Sequence, residues 1–241
     1  MNKTYLFISD IHLGLQSKEV EDKKERLLVK FLEFAQNNCD ELFIAGDLFD
    51  YWFEYKRVYQ KGNYRTLTAL KNLTEGGIKV HYFIGNHDFM HGDFFEKEIG
   101  VNLYEDPIER VLSGKRFFIG HGDGLVKNDT GYNILKKIMR NKMLQKLYSW
   151  IHPDLGIAIA SGTSKSSREY TTKKDYGEVD GLYDAACTKI DEGFDYVIFG
   201  HLHQRQYEKY KNGTYINLGS WLDKPCYGIY RESKFEIVDW N

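Results

Sequence analysis

The chain has 241 residues, of which 42% are hydrophobic and 28% are charged. This length fits one large α/β domain, or one domain plus a subdomain, with a sizeable core, and the composition is not that of a disordered segment. Because the formal net charge is only −2, no overall basic field favours nucleic acid. An anionic substrate must therefore be met by local charge or by metal.

Few features of the sequence bear on localisation. Three cysteines occur without a CxxC pair, which predicts a reducing compartment and no disulfide framework. The first residues lead directly into an apolar strand and lack the features of a signal peptide. No run of about 18 uninterrupted apolar residues occurs, so we expect no membrane span. The sequence does not indicate an oligomeric state.

The first half of the chain alternates predicted strands and helices. Residues 5–9 form an apolar β-rich run, residues 19–38 carry apolar side chains at helical spacing, and residues 41–45 form a second apolar run. This order predicts a right-handed parallel crossover. The elements predicted next are a helix at 66–75, a strand at 79–84, a short helix at 94–98, and strands at 102–104, 108–112 and 116–119.

The segment of about 125–176 is predicted to be a helical insertion. Residues 132–151 have the pattern of one amphipathic helix, with Leu and Met side chains on one face and several lysines in the same segment. Such a helix either caps the core, or lies on a membrane surface or along an acyl-chain groove. Both interpretations predict the same periodicity, so the sequence does not separate them.

The last part of the chain is rich in predicted strands. A helix is expected at 181–192, followed by strands at 196–199, 215–218, 228–231 and 235–239. We expect the last three strands in a second, mainly antiparallel sheet. A βαβ half followed by a strand-rich half predicts a layered α/β sandwich.

Polar side chains follow five of the predicted strands, at the point where each strand ends. They are Asp10 and His12, Asp47, Asn86 to Asp88, His121, and His201 and His203. Open α/β sheets place their binding sites at the carboxyl ends of the strands. Strand ends do favour Asp, Asn and Gly in general, which would explain one or two of these positions but not all five. The pattern therefore predicts one common site.

The donor types predict a metal centre. Asp10 and His12 lie two residues apart, so both side chains can reach one ion, and His201 and His203 repeat this spacing. A carboxylate such as Asp47 can bridge two ions about 3.5–4 Å apart. Oxygen and nitrogen donors without cysteine suit Mn²⁺, with Fe²⁺ or Zn²⁺ as alternatives, and differ from a structural zinc site.

The five motifs resemble those of the calcineurin-like metallophosphoesterases. The resemblance implies a four-layer α-β-β-α sandwich with a helical lid insertion and a site for two divalent metal ions. It implies that one ion is held by Asp10, His12, Asp47 and His203, and that the other is held by Asp47, Asn86, His121 and His201.

The resemblance also implies catalytic roles for His87 and Asp88. His87 would stand beside the phosphate, as a general acid or as a charge that stabilises the transition state. Asp88 would orient His87 through its other ring nitrogen. Asn86 and His87 are accordingly expected to contact the substrate.

A closer resemblance is to the UDP-2,3-diacylglucosamine diphosphatases of lipid A biosynthesis. It rests on residues 46–52 (GDLFDYW), 121–125 (HGDGL) and 129–132 (DTGY), and on the dipeptide Ser164-Lys165. Those enzymes are peripheral membrane proteins of Gram-negative bacteria. They hydrolyse the diphosphate of UDP-2,3-diacylglucosamine to lipid X and UMP, and their helical insertion is a lid for the acyl chains.

This closer resemblance implies partners and a location. The substrate would be a lipid-linked nucleotide sugar, met at the cytoplasmic face of the inner membrane. Asp129, Ser164 and Arg168 would be further substrate contacts. One departure concerns His87, because typical members carry Arg there, whereas His is the general pattern of the wider family.

Three alternative functions stay open at this stage. The first is hydrolysis of a small soluble phosphoester or nucleotide, with which His87 is compatible. The second is a nuclease, which the net charge of −2 disfavours because binding a nucleic acid backbone needs many basic contacts. The third is a non-catalytic scaffold, which is disfavoured because every expected ligand position is filled.

Several further residues have two interpretations or a structural one. Asp50 could contact substrate or cap a helix, and Asp123 could support a ligand or form a turn. The aromatic cluster within 51–64 could be a packed surface or a contact for lipid or lid. The histidines predicted to be structural are His81, His91 and His152.

Overall fold

A computed structural model describes residues 3–55, 57–58, 61–125, 130–156 and 181–241 of the protein. The strands in chain order are β1 (Tyr5–Ile8), β2 (Glu41–Ile44), β3 (Lys79–Phe83), β4 (Asn102–Tyr104), β5 (Ile108–Leu112), β6 (Lys115–Ile119), β7 (Tyr196–Phe199), β8 (Arg205–Tyr210), β9 (Gly213–Leu218), β10 (Cys226–Arg231) and β11 (Lys234–Asp239). The helices are α1 (Lys18–Asn38), α2 (Tyr64–Glu75), α3 (Thr130–Met139), α4 (Lys142–Tyr148) and α5 (Gly181–Asp191), and a short π-helix spans Phe95–Ile99.

The first sheet has six strands in the order β11-β10-β1-β2-β3-β4. Strands β1 to β4 pair in parallel, with Tyr5 opposite Glu41 and Glu41 opposite Lys79. The predicted parallel arrangement of the first strands is therefore confirmed. Because the strands run in the same direction, their carboxyl ends and the motifs that follow them meet at one edge of the sheet.

The second sheet has five strands in the order β5-β6-β7-β9-β8. The prediction that the last three strands share this sheet is wrong for two of them. Strand β9 pairs in parallel with β7, whereas β10 returns to the first sheet and pairs antiparallel with β1, and β11 pairs with β10. Strand β8 was not predicted, because its side chains are mostly exposed and do not alternate between apolar and polar.

The two sheets lie face to face between two layers of helices. Between the sheets, Phe7 of the first packs on Phe117 of the second, with ring centroids 6.3 Å apart. The outer face of the first sheet is covered by apolar side chains of α1 and α2, including Phe31 and Leu70. Helix α5 covers the second sheet through a separate cluster that includes Leu182. This order of layers is the α-β-β-α sandwich that the family resemblance implies.

The insertion begins with two helices rather than the single helix predicted at 132–151. Helix α3 ends at Met139, and α4 begins after Asn141, whose side chain accepts hydrogen bonds from the backbone N–H of Met143 (2.9 Å) and Leu144 (3.2 Å). This cap starts a new helix where the apolar periodicity continues without interruption. Among the described residues, no helix is long and apolar enough to cross a membrane.

Candidate metal centre

The seven predicted ligands come together where the carboxyl ends of strands from both sheets meet. Loop-to-loop hydrogen bonds fix this edge. The N–H of Asp10 donates to the carbonyl of Gly46 (3.1 Å), and the N–H of Gly200 donates to the carbonyl of His121 (3.0 Å). The turn after one strand thus supports the turn after its neighbour, which aligns the motifs although they lie far apart in sequence.

Five of these seven residues have a left-handed backbone. The φ angles are 52° for Asp10, 49° for His12, 52° for Asp47, 72° for His201 and 58° for His203. A positive φ is uncommon in residues other than glycine and costs free energy, so it persists only where the surrounding structure enforces it. Such residues concentrate at functional sites, and here the strained turns aim the side chains inward from the strand ends.

The first donor group consists of one atom each from Asp10, His12, Asp47 and His203, all within 4.8 Å of one another. Nε2 of His12 lies 3.0 Å from Nε2 of His203. Nε2 of His203 lies 3.4 Å from Oδ1 of Asp10, and Nε2 of His12 lies 3.7 Å from Oδ2 of Asp47. Two imidazoles and two carboxylates therefore converge on one small volume.

The second donor group is centred on Asn86. Its Oδ1 atom lies 2.9 Å from Nε2 of His121 and 2.9 Å from Nδ1 of His201. Nε2 of His121 also lies 3.4 Å from Oδ2 of Asp47. The same Asp47 oxygen thus faces a histidine of each group, so Asp47 lies between the two groups.

The chemistry of the donors fits cations at these positions. Nδ1 of His121 donates to the carbonyl of Ala45 (2.8 Å), so in the neutral ring Nε2 presents a lone pair to the oxygens of Asn86 and Asp47. Lone pairs that face one another at such distances are favourable only with a proton or a metal ion between them. Burial alone would lower the pKa of His121, but the Asp47 carboxylate raises it to about 10. The negative charge of the Asp47 carboxylate attracts a metal ion for the same reason.

Two motif glycines make room for these ligands. Gly46 has a φ of +90°, and a β-carbon there would overlap the imidazole of His121. A β-carbon on Gly85 would overlap the carboxylate of Asp47. In each case the glycine of one motif lies directly against the ligand of another, because only a residue without a side chain permits so close an approach.

Comparison with known proteins agrees with this geometry. A sequence profile described as calcineurin-like phosphoesterase matches residues 3–205. The chain belongs to this family. It is therefore a phosphoesterase of a family of metal-dependent hydrolases, which accounts for a cluster of histidine and carboxylate donors.

Two curated relatives match almost the whole of this phosphoesterase. The UDP-2,3-diacylglucosamine hydrolase of Porphyromonas gingivalis is 29% identical over 248 residues, covering 95% of each chain. The enzyme of the same name from Haemophilus ducreyi is 30% identical over 224 residues, covering 90% of this chain and 92% of the relative. A solved archaeal phosphodiesterase superposes with a TM-score of 0.50 at 16% identity over 98% of this chain and 99% of that one, and shares the fold.

In this phosphoesterase the carboxylate that faces His87 belongs to Asp50. Oδ1 of Asp50 lies 3.5 Å from Nδ1 of His87 and 3.7 Å from Nδ1 of His12. Asp50 is buried and starts no helix, since α2 begins at Tyr64, so the interpretation as a helix cap is wrong. A sequence signal existed, because Asp50 follows Asp47 by three residues within the same loop.

The predicted contact between Asp88 and His87 differs from the structure. The carboxylate of Asp88 accepts hydrogen bonds from the backbone N–H of Leu48 (2.9 Å) and Gly85 (2.8 Å) and from the hydroxyl of Tyr82. Burial and the nearby Asp47 carboxylate raise the pKa of Asp88 to about 6. Asp88 therefore ties together the loops that carry Asp47 and Asn86. The predicted substrate contacts Asp129, Ser164 and Arg168 lie outside the described residues.

The three histidines predicted to be structural lie away from the donor groups in different environments. His81 on β3 has Nε2 3.0 Å from Oε2 of Glu41 and Nδ1 3.0 Å from the hydroxyl of Tyr104. His91 is buried among aromatic rings, whereas His152 is exposed. These surroundings agree with structural roles for His81 and His91.

Proposed function

We propose that the protein hydrolyses the diphosphate of UDP-2,3-diacylglucosamine, giving lipid X and UMP in lipid A biosynthesis. One observation supports this substrate among those that a phosphoesterase could hydrolyse. Two curated relatives of that name match 95% and 90% of this chain, and the family profile spans residues 3–205, which include every predicted ligand. The proposal places the enzyme at the cytoplasmic face of the inner membrane.

The two donor groups would hold two divalent ions that share Asp47. Asp10, His12 and His203 complete one group, and Asn86, His121 and His201 complete the other. Nitrogen and oxygen donors without thiolate suit Mn²⁺, with Fe²⁺ or Zn²⁺ as alternatives. When bound, such ions supply positive charge for phosphate oxygens and acidify water.

The remaining chemistry belongs to His87 and Asp50. The Asp50 carboxylate faces Nδ1 of His87 at 3.5 Å, so a proton held on that nitrogen is stabilised and the ring orientation is fixed. Nε2 of His87 is then the atom that can donate to a phosphate oxygen or protonate the leaving group. Because the same carboxylate faces His12, it links this proton donor to the first donor group.

The described part of the insertion supports a substrate with apolar chains. Met143 is 66% exposed and Trp150 is 76% exposed, and Ile138 and Leu147 are also exposed. Among the described residues this apolar face is therefore not buried in the core, which disfavours the interpretation as a core cap. An exposed apolar surface next to a phosphoesterase site is suited to acyl chains or to the surface of a bilayer.

A soluble phosphoester or nucleotide is the second candidate substrate. The observation that favours it is His87, which stands where the diphosphatases that the sequence resembles usually carry Arg. A small ester needs no apolar surface, so the two candidates differ in what the insertion must do.

A hydrolysis assay separates the candidates. Purified protein is incubated with Mn²⁺ or with EDTA, using UDP-2,3-diacylglucosamine in mild detergent, UDP-glucose, and bis(4-nitrophenyl) phosphate. Metal-dependent release of UMP from the acylated substrate, with UDP-glucose intact, is the expected result. Hydrolysis of the soluble esters alone would retain the metal-dependent site and reject the lipid substrate. The Asp47→Asn variant should be inactive in every arm.

A further inference from the structure

A buried carboxylate beside the metal centre is paired with two cations of the insertion. Asp123 follows His121 by two residues and is buried. Nζ of Lys136 lies 2.7 Å from its Oδ2 and also donates to its backbone carbonyl (2.8 Å). Nη2 of Arg140 lies 3.5 Å from the same Oδ2. Lys136 of α3 and Arg140, directly after α3, are therefore paired with a carboxylate of the protein itself. The interpretation of Asp123 as a turn residue accounts for only part of its role.

Arg140 extends this contact to the first sheet. Its Nη2 lies 3.5 Å from the carbonyl of Ile84, directly before the Gly85-Asn86 motif, and its Nη1 donates to the carbonyl of Glu105 (2.6 Å). Arg140, directly after α3, thus contacts the loops that carry a predicted ligand from each sheet. The side chains of Lys136 and Arg140 are only 21% and 15% exposed, so salt screens these pairs less than it screens pairs on an open surface.

The other end of the two-helix segment is held by aromatic contacts. The ring centroid of Tyr148 at the end of α4 lies 5.0 Å from that of Phe53, in the loop after β2. The hydroxyl of Tyr148 donates to the carbonyl of Gly156 (2.6 Å). Helices α3 and α4 are therefore anchored at one end to the His121 loop and at the other to the chain that follows Asp47.

We propose that Asp123, Lys136 and Arg140 form a clasp that positions α3 relative to the metal centre and thereby sets selectivity for substrates that extend beyond the phosphate. This inference rests on the proposed function for the identity of the long substrate. Because Asp123 already neutralises part of their charge, Lys136 and Arg140 act as positioning residues. They do not act as free phosphate-binding cations.

The test uses a matched pair of lysines on α3. Lys136→Met removes the clasp, whereas Lys137→Met removes the same charge from an exposed neighbour that has no ion pair within the described ranges. Hydrogen exchange should rise across residues 130–139 in Lys136→Met and should match wild type in Lys137→Met. The conservative Lys136→Arg variant should restore protection, because it keeps a cation beside Asp123.

Kinetics with two substrates then test selectivity. In Lys136→Met, KM for the acylated nucleotide sugar should rise about tenfold, because displaced binding elements commonly cost this much or more. The kcat/KM for bis(4-nitrophenyl) phosphate should change less than twofold. Equal losses of kcat/KM for both substrates would overturn the proposal, because they would mean damage to the metal centre. Equal hydrogen exchange in Lys136→Met and Lys137→Met would overturn it as well.

Failure of the proposed function gives a different result. If wild-type protein cleaves the small diester but not the acylated substrate, the assigned substrate is wrong. The exchange comparison still decides whether the clasp holds α3. In that case UDP-glucose replaces the acylated compound as the extended substrate, and an unchanged KM for it in Lys136→Met would overturn the role in selectivity.

Discussion

The Nε2 atoms of His12 and His203 lie 3.0 Å apart, although the two residues are separated by 191 positions in sequence. One follows β1 of the first sheet and the other follows β7 of the second. Two imidazole nitrogens at this distance need a shared cation or proton, so the contact marks the place where a bound metal would join the two sheets.

Metal binding should therefore stabilise the fold measurably. An ion present at about 100 times its Kd adds about 2.7 kcal/mol to the free energy of unfolding, which for a chain of this size corresponds to a rise in Tm of roughly 5–10 °C. Thermal unfolding of EDTA-treated protein, with and without added Mn²⁺, measures this shift. A Tm that is the same in both samples would argue against metal binding at these donors.

Replacing Asp50 should affect catalysis more than folding. Asp50→Asn removes the negative charge that faces His87, so kcat should fall by about 10²-fold, the usual contribution of a general acid. Tm should stay close to wild type, and so should metal content measured by elemental analysis in excess Mn²⁺, although metal affinity should fall because Asp50 also faces His12. Unchanged turnover would assign the proton donor elsewhere.

Replacing Asp88 should give the opposite pattern. Asp88→Asn can accept hydrogen bonds through only one oxygen, so at least one backbone N–H from Leu48 or Gly85 loses its partner. Loss of a buried partner costs about 1–3 kcal/mol. Urea unfolding should show this loss. If Asp88→Asn instead keeps full stability and loses only kcat, the orienting role predicted from the sequence would be restored.

Because Gly46 lies against the imidazole of His121, adding a side chain at position 46 should lower the metal content of the protein. Gly46→Ala places a β-carbon on the imidazole, whereas Gly77→Ala is a control with a similar φ of +88° and nothing within 4 Å of the added carbon. Both variants should lose about 1–2 kcal/mol from the left-handed backbone. Only Gly46→Ala should lose metal content and activity. Equal metal content in the two variants would show that His121 can move aside.

The burial of His91 should make the free energy of unfolding depend on pH. Burial lowers the pKa of His91 from 6.5 to about 3, so below pH 6.5 the unfolded chain binds a proton that the folded chain does not. Stability is then complete above pH 6.5 and is lost as the pH falls towards 3, by about 1.4 kcal/mol per pH unit. His91→Phe suits the aromatic surroundings and removes the titration.

Urea unfolding at pH 5.5 and 7.5, in EDTA, measures this difference. The loss of free energy of unfolding between the two pH values should be about 1.4 kcal/mol smaller in His91→Phe than in wild type. Titrating groups that do not contact His91 are shared and cancel in the comparison. Glu54, whose Oε1 lies 3.9 Å from Nδ1 of His91, is the neighbour whose own titration the substitution also alters. Identical losses would mean that His91 is solvated or paired when the protein is folded.

The sequence predicted that these donor side chains lie together, because the arrangement that brings them together is simple. Parallel strands end at one edge, so Asp10, Asp47 and Asn86 could be expected together before any contact was known. The partner of His87 could not be chosen in this way. Asp50 and Asp88 both belong to the motif loops near His87, so either carboxylate could be its partner. Asp88 instead accepts hydrogen bonds from Leu48, Gly85 and Tyr82, and these are tertiary contacts that the sequence does not reveal.

The errors in the fold have similar causes. The apolar pattern of residues 228–231 and 235–239 correctly predicted strands. The sheet that they join depends on which strand has a free edge, and β10 pairs with the free edge of β1. The break at Asn141 has no apolar signal, because the spacing of Leu and Met continues across it. Only the capping side chain distinguishes two helices from one.

The return of β10 to the first sheet has a consequence for synthesis of the chain. Every predicted metal ligand has been translated by His203, yet β1 keeps an unpaired edge until the hairpin of Cys226–Asp239 emerges. An open strand edge is a template for pairing with other chains. A nascent or truncated protein that stops before this hairpin would thus carry all of its predicted ligands while remaining prone to aggregation.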